Sequence, residues 1–161
     1  MNAQAVKSVP ETVERLVARQ RVIDTITTLF LATDARDWRS VRACFAPDVL
    51  FDMTSLTGGE PQRLTPDAIV SAWEQGLRPI QAVHHQAGNF RVEIDGADAR
   101  ASCYGVAFHY LPKPSGNNIR VFVGSYDFLL RKEEGDSWVI TLFRFTVKFV
   151  EGNLELEKPE S

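Results

Sequence analysis

Ala101-Ser102-Cys103-Tyr104-Gly105-Val106-Ala107-Phe108-His109-Tyr110 alternates small side chains with large ones. A period of two is the repeat of a β-strand. Ala101, Cys103, Gly105, Ala107 and His109 therefore share one face, and Ser102, Tyr104, Val106, Phe108 and Tyr110 the other. The stretch is the centre of a strand running from Ala99 to Leu111. Upstream, Val83 to Ile94 reads as its hairpin partner, with the turn at Asp95-Gly96. Downstream, past a loop from Pro112 to Asn118, Ile119 to Arg131 and Trp138 to Val150 read as two further strands that turn near Glu134-Gly135.

The first half has a different rhythm. Ser8-Val9-Pro10-Glu11 reads as a capping box with a proline tolerated at a helix start. A long helix follows to about Ala35, with Val13, Leu16, Val17, Ile23, Ile26 and Phe30 as its apolar stripe. Four residues beyond Phe30 comes Asp34, so an acid falls on the inward face. A short helix with Trp38, Val41 and Phe45 is expected to end at Pro47, and Val49 to Thr54 reads as a first strand. Thr57 to Pro61 reads as a turn or loop. Thr65-Pro66-Asp67 caps a third helix through Leu77, whose inner face is Ile69, Val70 and Trp73. Helices first and antiparallel strands second predict an α+β domain over residues 8–152. Three N-terminal helices would pack on a curved, mainly antiparallel sheet. Residues 1–7 and 153–161 are expected to be flexible tails. A concave sheet lined by helices makes a cone with an open end, a natural pocket for a small-molecule substrate.

Composition narrows the field. The chain has 161 residues, 44% hydrophobic and 24% charged, as for a single globular domain. The net charge is -3 with scattered basic residues, which points away from nucleic acid. No apolar run reaches membrane-spanning length, and Met1 to Lys7 lacks the order of a secretion signal. Cys44 and Cys103 have no CxxC spacing and read as reduced packing thiols, so the expected location is cytoplasmic. No HxH, HExxH, GxSxG or phosphate loop is present, so no metal and no cofactor are expected.

The chemistry-bearing residues are few. Carboxylates are seldom buried without a partner, and an Asp facing a His in a closed interior makes a tuned base. Asp34 has that placement, or it bonds to backbone in the turn before Trp38. All three histidines lie in the strand pair: His84, His85 and His109. His84 shares parity with Phe90, Val92 and Ile94 and would face inward, unless a bulge near Gly88 turns His85 inward instead. The small face of Ala99 to Leu111 is either a pocket wall or a seat for a closely packed helix. Arg144 shares parity with Trp138, Ile140 and Leu142, so it either meets an anion or acid inside or extends to the rim. On the other parity, Phe143, Phe145, Val147 and Phe149, with Phe122, Tyr126 and Phe128 beside them, form a second apolar face. Helices cover only one face of a sheet, so a homo-oligomer, dimer or trimer, is expected through the convex side.

Arg21-Val22-Ile23-Asp24, Thr33-Asp34-Ala35-Arg36-Asp37-Trp38, Phe45-Ala46-Pro47-Asp48-Val49, His84-His85-Gln86-Ala87-Gly88-Asn89 and Trp138-Val139-Ile140 occur in an order and spacing that resembles the SnoaL-like branch of the NTF2-like (cystatin-like) superfamily. The chain is most similar to the group containing scytalone dehydratase, bile-acid 7α-dehydratase and the hexachlorocyclohexane dehydrochlorinase. The resemblance implies a cystatin-like cone and a catalytic pair of Asp34 and His85, with His109 as a second active-site histidine. It therefore favours His85 over His84. It also implies departures. Thr33 and Met53 stand where scytalone dehydratase carries tyrosines, Gly124 and Tyr126 stand where it carries Ser and Asn, and the dehydrochlorinase has an arginine near Arg144.

The function so implied is a cofactor-free lyase, a dehydratase acting on a small hydrophobic cyclic or aromatic-like substrate. His85 would take the proton, Asp34 would hold its tautomer, and His109 would protonate or orient the departing oxygen. Tyr126, Arg144, Met53 and Trp73 would contact the substrate, with Tyr126 or Arg144 polarising a carbonyl. The rival readings are an isomerase or cyclase with the same base, and a non-catalytic binding or assembly domain such as a dioxygenase β-subunit-like partner.

Overall fold

In the computed structural model, which describes residues 12–160, α1 (Val13–Ala35) begins at Thr12, whose hydroxyl accepts from the Arg15 N–H at 3.3 Å. The capping box expected at Ser8 to Glu11 lies outside the described residues. The helix stops at Arg36, in the left-handed region at φ 57°, where the Arg36 N–H satisfies the carbonyls of Ala32 and Thr33. Val22, Ile26, Leu29 and Phe30 are buried, whereas Val13, Leu16 and Val17 of the expected stripe are exposed. Only the later turns of α1 supply the core.

The short elements differ from expectation in instructive ways. α2 (Trp38–Ala43) is capped by Asp37, which accepts from the Ser40 N–H at 3.1 Å and hydroxyl at 2.5 Å. It ends before Phe45, which already belongs to β1 (Phe45–Asp52). Pro47 is tolerated there because the pairing of β1 is irregular between Phe45 and Leu50. A single turn, α3 (Thr54–Thr57), takes the end of the strand expected to reach Thr54, and a short strand, β2 (Gln62–Leu64), follows the loop expected from Thr57 to Pro61. α4 (Pro66–Leu77) is capped by Thr65. The long strands are β3 (Ala82–Asp95), β4 (Asp98–Tyr110), β5 (Ile119–Lys132) and β6 (Trp138–Gly152). The sheet order is β2-β1-β6-β5-β4-β3, antiparallel except for the β1–β6 pair. The α+β class holds, with four α-helical segments rather than three before the long strands among the described residues.

Bulges decide which side chains face in. One lies in β3 between Gly88 and Arg91, with Asn89 at φ 57°. A second lies in β6, where Ile140 pairs with Leu130 and Leu142 already pairs with Leu129, and a third farther along β6, where Val147 pairs with Gly124 and Phe149 with Val123. Each extra residue reverses the parity of the remainder of its strand. The second bulge corrects two expectations. Phe143 and Phe145 are buried in the core rather than lying on the convex face. Tyr126 and Phe128 are buried as well, because β5 pairs with β4 in unbroken register and sets them opposite Cys103 and Ala101. Arg144 goes to the opposite face. The exposed apolar surface consists instead of Tyr104, Phe108, Tyr110, Ile119 and Phe149, with half-buried Val106, Val121 and Val123 among them.

The core joins Val22, Ile26, Leu29 and Phe30 of α1 to Phe128, Leu130, Ile140 and Phe143 of the sheet. The small face of β4 is for the most part a seat rather than open volume. The Tyr126 ring lies directly over Gly105, and only Ala107 and His109 of that face reach the cavity. The segment after Gly152, expected to fray, is laid against the body of the domain. Leu156 is fully buried with Ile80 and Val83, flanked by Leu77 and Leu111.

A Cβ at Gly105 would overlap the Tyr126 ring. Gly105→Ala is therefore expected to destabilise the fold by roughly 1–3 kcal/mol, the usual cost of overpacking. The measurement is the urea midpoint at constant m-value.

Candidate active site

The line Ile26, Phe30, Asp34 along α1, each four residues from the last, carries the Asp34 carboxylate to the inner end of the helix, opposite β3. There it takes two hydrogen bonds from one residue. Oδ1 bonds His85 Nδ1 at 2.6 Å, and Oδ2 accepts from the His85 backbone N–H at 2.8 Å. Both side chains are largely buried. Phe30 stacks on the imidazole with ring centres 5.2 Å apart. The bulge after Gly88 makes this possible, because it turns His85 inward and leaves His84 exposed on the outer face beside Phe108. A carboxylate only accepts, so neutral His85 carries its proton on Nδ1 and keeps a lone pair on Nε2.

The dyad borders a cavity of about 170 Å³. Its walls are mostly aromatic and apolar: Phe30, Met53, Trp73, Phe122, Tyr126 and Phe143. Thr33 also lines it, but its hydroxyl is committed to the Leu29 carbonyl at 2.7 Å. Tyr126 is buried against Phe30 and Phe145, at 4.9 and 4.8 Å between ring centres. Burial pushes its phenol up, so it stays protonated. Its hydroxyl has no hydrogen-bond partner among the described residues, which leaves it for a ligand.

His109 also lines the cavity, 5.0 Å from Phe122 between ring centres. Burial, with Arg120 and His85 adding to it, pushes this imidazole down to about 4, so it is neutral at pH 7. Its Nδ1 lies 3.2 Å from Arg120 Nη2. Arg120 is held in turn by Glu157, with Nη1 2.8 Å from Oε2 and Nη2 on Oε1. Neither Arg120 nor Glu157 was singled out from sequence. Arg120 shares the parity of Phe122 and Tyr126, a row that the sequence reading places on the convex face and the structure turns inward. Glu157 lies in a segment with no periodicity to read.

Of the expected site residues, the structure brings together Asp34, His85, His109, Tyr126, Met53 and Trp73. Arg144 is not among them. The β6 bulge places it on the outer face, where its Nε bonds Asp52 at 2.8 Å. The Thr54 hydroxyl and Arg144 together hold the Asp52 carboxyl below its usual range. Cys44 and Cys103 are buried free thiols, pushed up to about 11 and about 12 by desolvation. Among the described residues no group of three or more His, Cys, Asp and Glu side chains is placed to hold a metal ion. No helix of these residues is long and apolar enough to cross a membrane.

Comparison with known proteins agrees with the fold. A SnoaL-like domain family matches residues 14–144. The Kfla4162 protein of Kribbella flavida superposes with a TM-score of 0.82 at 22% identity, over 88% of this chain and 97% of that one. A protein described as a scytalone dehydratase from Novosphingobium aromaticivorans gives 0.75 at 14% identity, over 86% and 89%. A type 2 hexachlorocyclohexane dehydrochlorinase (LinA) gives 0.73 at 14% identity, over 89% and 93%. At these identities the shared property is the fold. No match is found among curated proteins.

The depressed His109 makes stability depend on pH. Between its ordinary value of 6.5 and its folded value of about 4, the unfolded chain binds a proton that the folded chain refuses. Stability is expected to fall as pH drops through that window, by up to about 1.4 kcal/mol per pH unit. His109→Gln removes this part of the slope. Denaturation midpoints at pH 7, 6 and 5 for both proteins measure it.

Proposed function

This chain belongs to the SnoaL-like domain family, and from that premise we propose that it is a cofactor-free acid–base lyase, a dehydratase of small, neutral, ring-sized substrates. One observation carries the reading: a carboxylate-bound histidine presents its free Nε2 lone pair to an apolar cavity. A cavity of about 170 Å³ suits one ring with small substituents, since one of roughly 150 Å³ holds benzene. Among the described residues its walls carry no Asp, Glu, Lys or Arg side chain, and the Asp34 carboxylate beside it is already committed to His85.

The chemistry follows from the parts. His85 Nε2 takes a proton from a carbon next to a carbonyl, and Asp34 stabilises the imidazolium that forms. The electron pair of that C–H bond moves to the carbonyl oxygen as an enolate. The Tyr126 hydroxyl is the unpaired donor that meets this oxygen, with neutral His109 as a second hydrogen-bonding group. When the enolate collapses, the C–O bond at the β-carbon breaks. The departing hydroxide takes the proton from His85 Nε2 and leaves as water, so the base returns to its starting state.

The exposed aromatic surface on the outer face adds a second element to the proposal, a homo-oligomer through that face. Beside it a cross-strand row of Arg91, Asp127, Arg144 and Asp52 alternates in sign, which suits pairing with a second copy of itself. Light scattering on wild type and Phe149→Lys tests this. The wild type is expected to be a dimer or trimer and the variant to shift toward monomer, whereas a monomeric wild type at micromolar concentration overturns it.

The lyase reading is tested by deuterium wash-in and water loss on one-ring and two-ring β-hydroxyketones. His85→Ala is expected to lose both by at least about 10³-fold. Asp34→Asn should lose roughly 10²–10⁴-fold, the range for general acid–base groups and triad carboxylates. An amide has one acceptor oxygen, so it can serve the His85 backbone N–H only by turning its NH₂ toward Nδ1. That reverses the tautomer and removes the lone pair from Nε2. Wash-in without water loss would make the enzyme an isomerase. Ligand binding without either would make the domain a binder.

A further inference from the structure

His109 and Arg120 are cross-strand partners on the inner face of the sheet. The guanidinium lies over the Phe122 ring, 5.1 Å from its centre, and both of its terminal nitrogens are engaged by the Glu157 carboxylate. That carboxylate is delivered by the C-terminal segment, which Leu156 pins next door by its burial against Ile80 and Val83. The remaining donor capacity of Nη2 is directed at His109 Nδ1, 3.2 Å away.

A guanidinium has donors and no acceptor and does not lose its proton in proteins. The His109 Nδ1 it meets must therefore be the accepting nitrogen. Neutral imidazole then has only Nε2 on which to carry its proton. Asp34 imposes the opposite assignment on His85, whose proton sits on Nδ1. The cavity is thus bordered by two histidines with opposite exposed functions, a lone pair on His85 Nε2 and an N–H on His109 Nε2. We propose that Arg120, clamped by Glu157, is a positioning residue that fixes His109 in the Nε2–H tautomer and makes it the cavity's neutral hydrogen-bond donor. The C-terminal segment is then part of the active site through Glu157. The proposal rests on reading this cavity as an active site. It replaces an acid that delivers a proton with a donor that holds an oxygen, and assigns the proton delivered to the leaving group to His85.

The charged and titratable groups around His109 come from four elements: Arg120 on β5, Glu157 on the C-terminal segment, His85 on β3 and Asp34 on α1. Arg120 opposes protonation of His109, and Glu157 and Asp34 favour it. Removing Arg120 while keeping Glu157 therefore raises the pH at which His109 titrates.

Long-range ¹H–¹⁵N spectra of histidine-labelled protein test the tautomer without any substrate. The chain has three histidines, so His84→Gln, His85→Gln and His109→Gln assign every signal. In wild type, His109 is expected as a single Nε2–H tautomer and His85 as Nδ1–H. Arg120→Met should convert His109 to a mixture of tautomers, raise its titration midpoint by one unit or more, and lower kcat about tenfold with little change in KM. Glu157→Ala, which frees Arg120, should loosen the tautomer in the same direction but less. It carries the test if Arg120→Met does not fold. A wild-type His109 protonated on Nδ1, or a tautomer unchanged in both variants, overturns the proposal. A shifted tautomer in a protein that shows no lyase activity upholds the positioning role and removes the lyase reading, so the two fail separately.

Discussion

A single carboxylate ties the end of α1 to β3, near the N-terminal end of that strand. Asp34 spends one oxygen on the His85 ring and the other on the His85 backbone N–H. The second bond makes the first one rigid. The ring cannot move relative to the acid without the strand moving relative to the helix. Phe30, one turn back, closes the third side by stacking on the imidazole. The position of the helix over the sheet, the depth of the cavity and the tautomer of the base all depend on the same few atoms. This double engagement also explains why an acid is tolerated on the inward face of a helix C-terminus, where the dipole disfavours it. Its charge is stabilised by two hydrogen-bond donors the fold supplies, and both donors would be left unpaired without it.

The cavity sorts its polar groups by how they are held. Burial alone would make the His109 imidazole neutral. It would not decide which nitrogen carries the proton. That decision belongs to the groups behind the rings, a carboxylate behind one and a guanidinium behind the other. Opposite charges in the second layer give opposite hydrogen-bonding faces in the first. With apolar walls between them, each retains a strength it would lose in water.

Much of this was legible in the sequence, and the limits come from the physics of strands. The helix stripe led from Ile26 through Phe30 to Asp34 because helical periodicity has no insertions to disturb it. The alternation of β4 put His109 inward, and the structure agrees, because β4 pairs without a shift from Asp98 to Tyr110. β3 and β6 are bulged, and there parity counted from one end fails at the other. In β3 a glycine marked the irregularity, so the choice between His84 and His85 could at least be posed. In β6 no residue type marks the bulge between Ile140 and Leu142. Phe143, Phe145 and Arg144 were accordingly placed on the wrong faces, whereas Phe149 does lie on the outer one. Leu156 was missed for a different reason. One buried leucine in a charged segment carries no pattern, and its burial is created by the groove it fills.

The bulge of β3 also bears on how the chain finds its structure. Two histidines stand side by side, and a slip of one residue in the upper half of the strand would still offer an imidazole to Asp34. The misfolded pairing would thus keep much of the reward of the correct one while placing Val83 and Ala87 on the outer face. What separates the two registers is the left-handed conformation at Asn89, which asparagine adopts more readily than most residues with a Cβ. A β-branched residue there would raise the energy of the native register and leave the slipped one untouched. Asn89 is outside the cavity lining, yet its backbone conformation holds the register in which His85, and not its neighbour, meets Asp34.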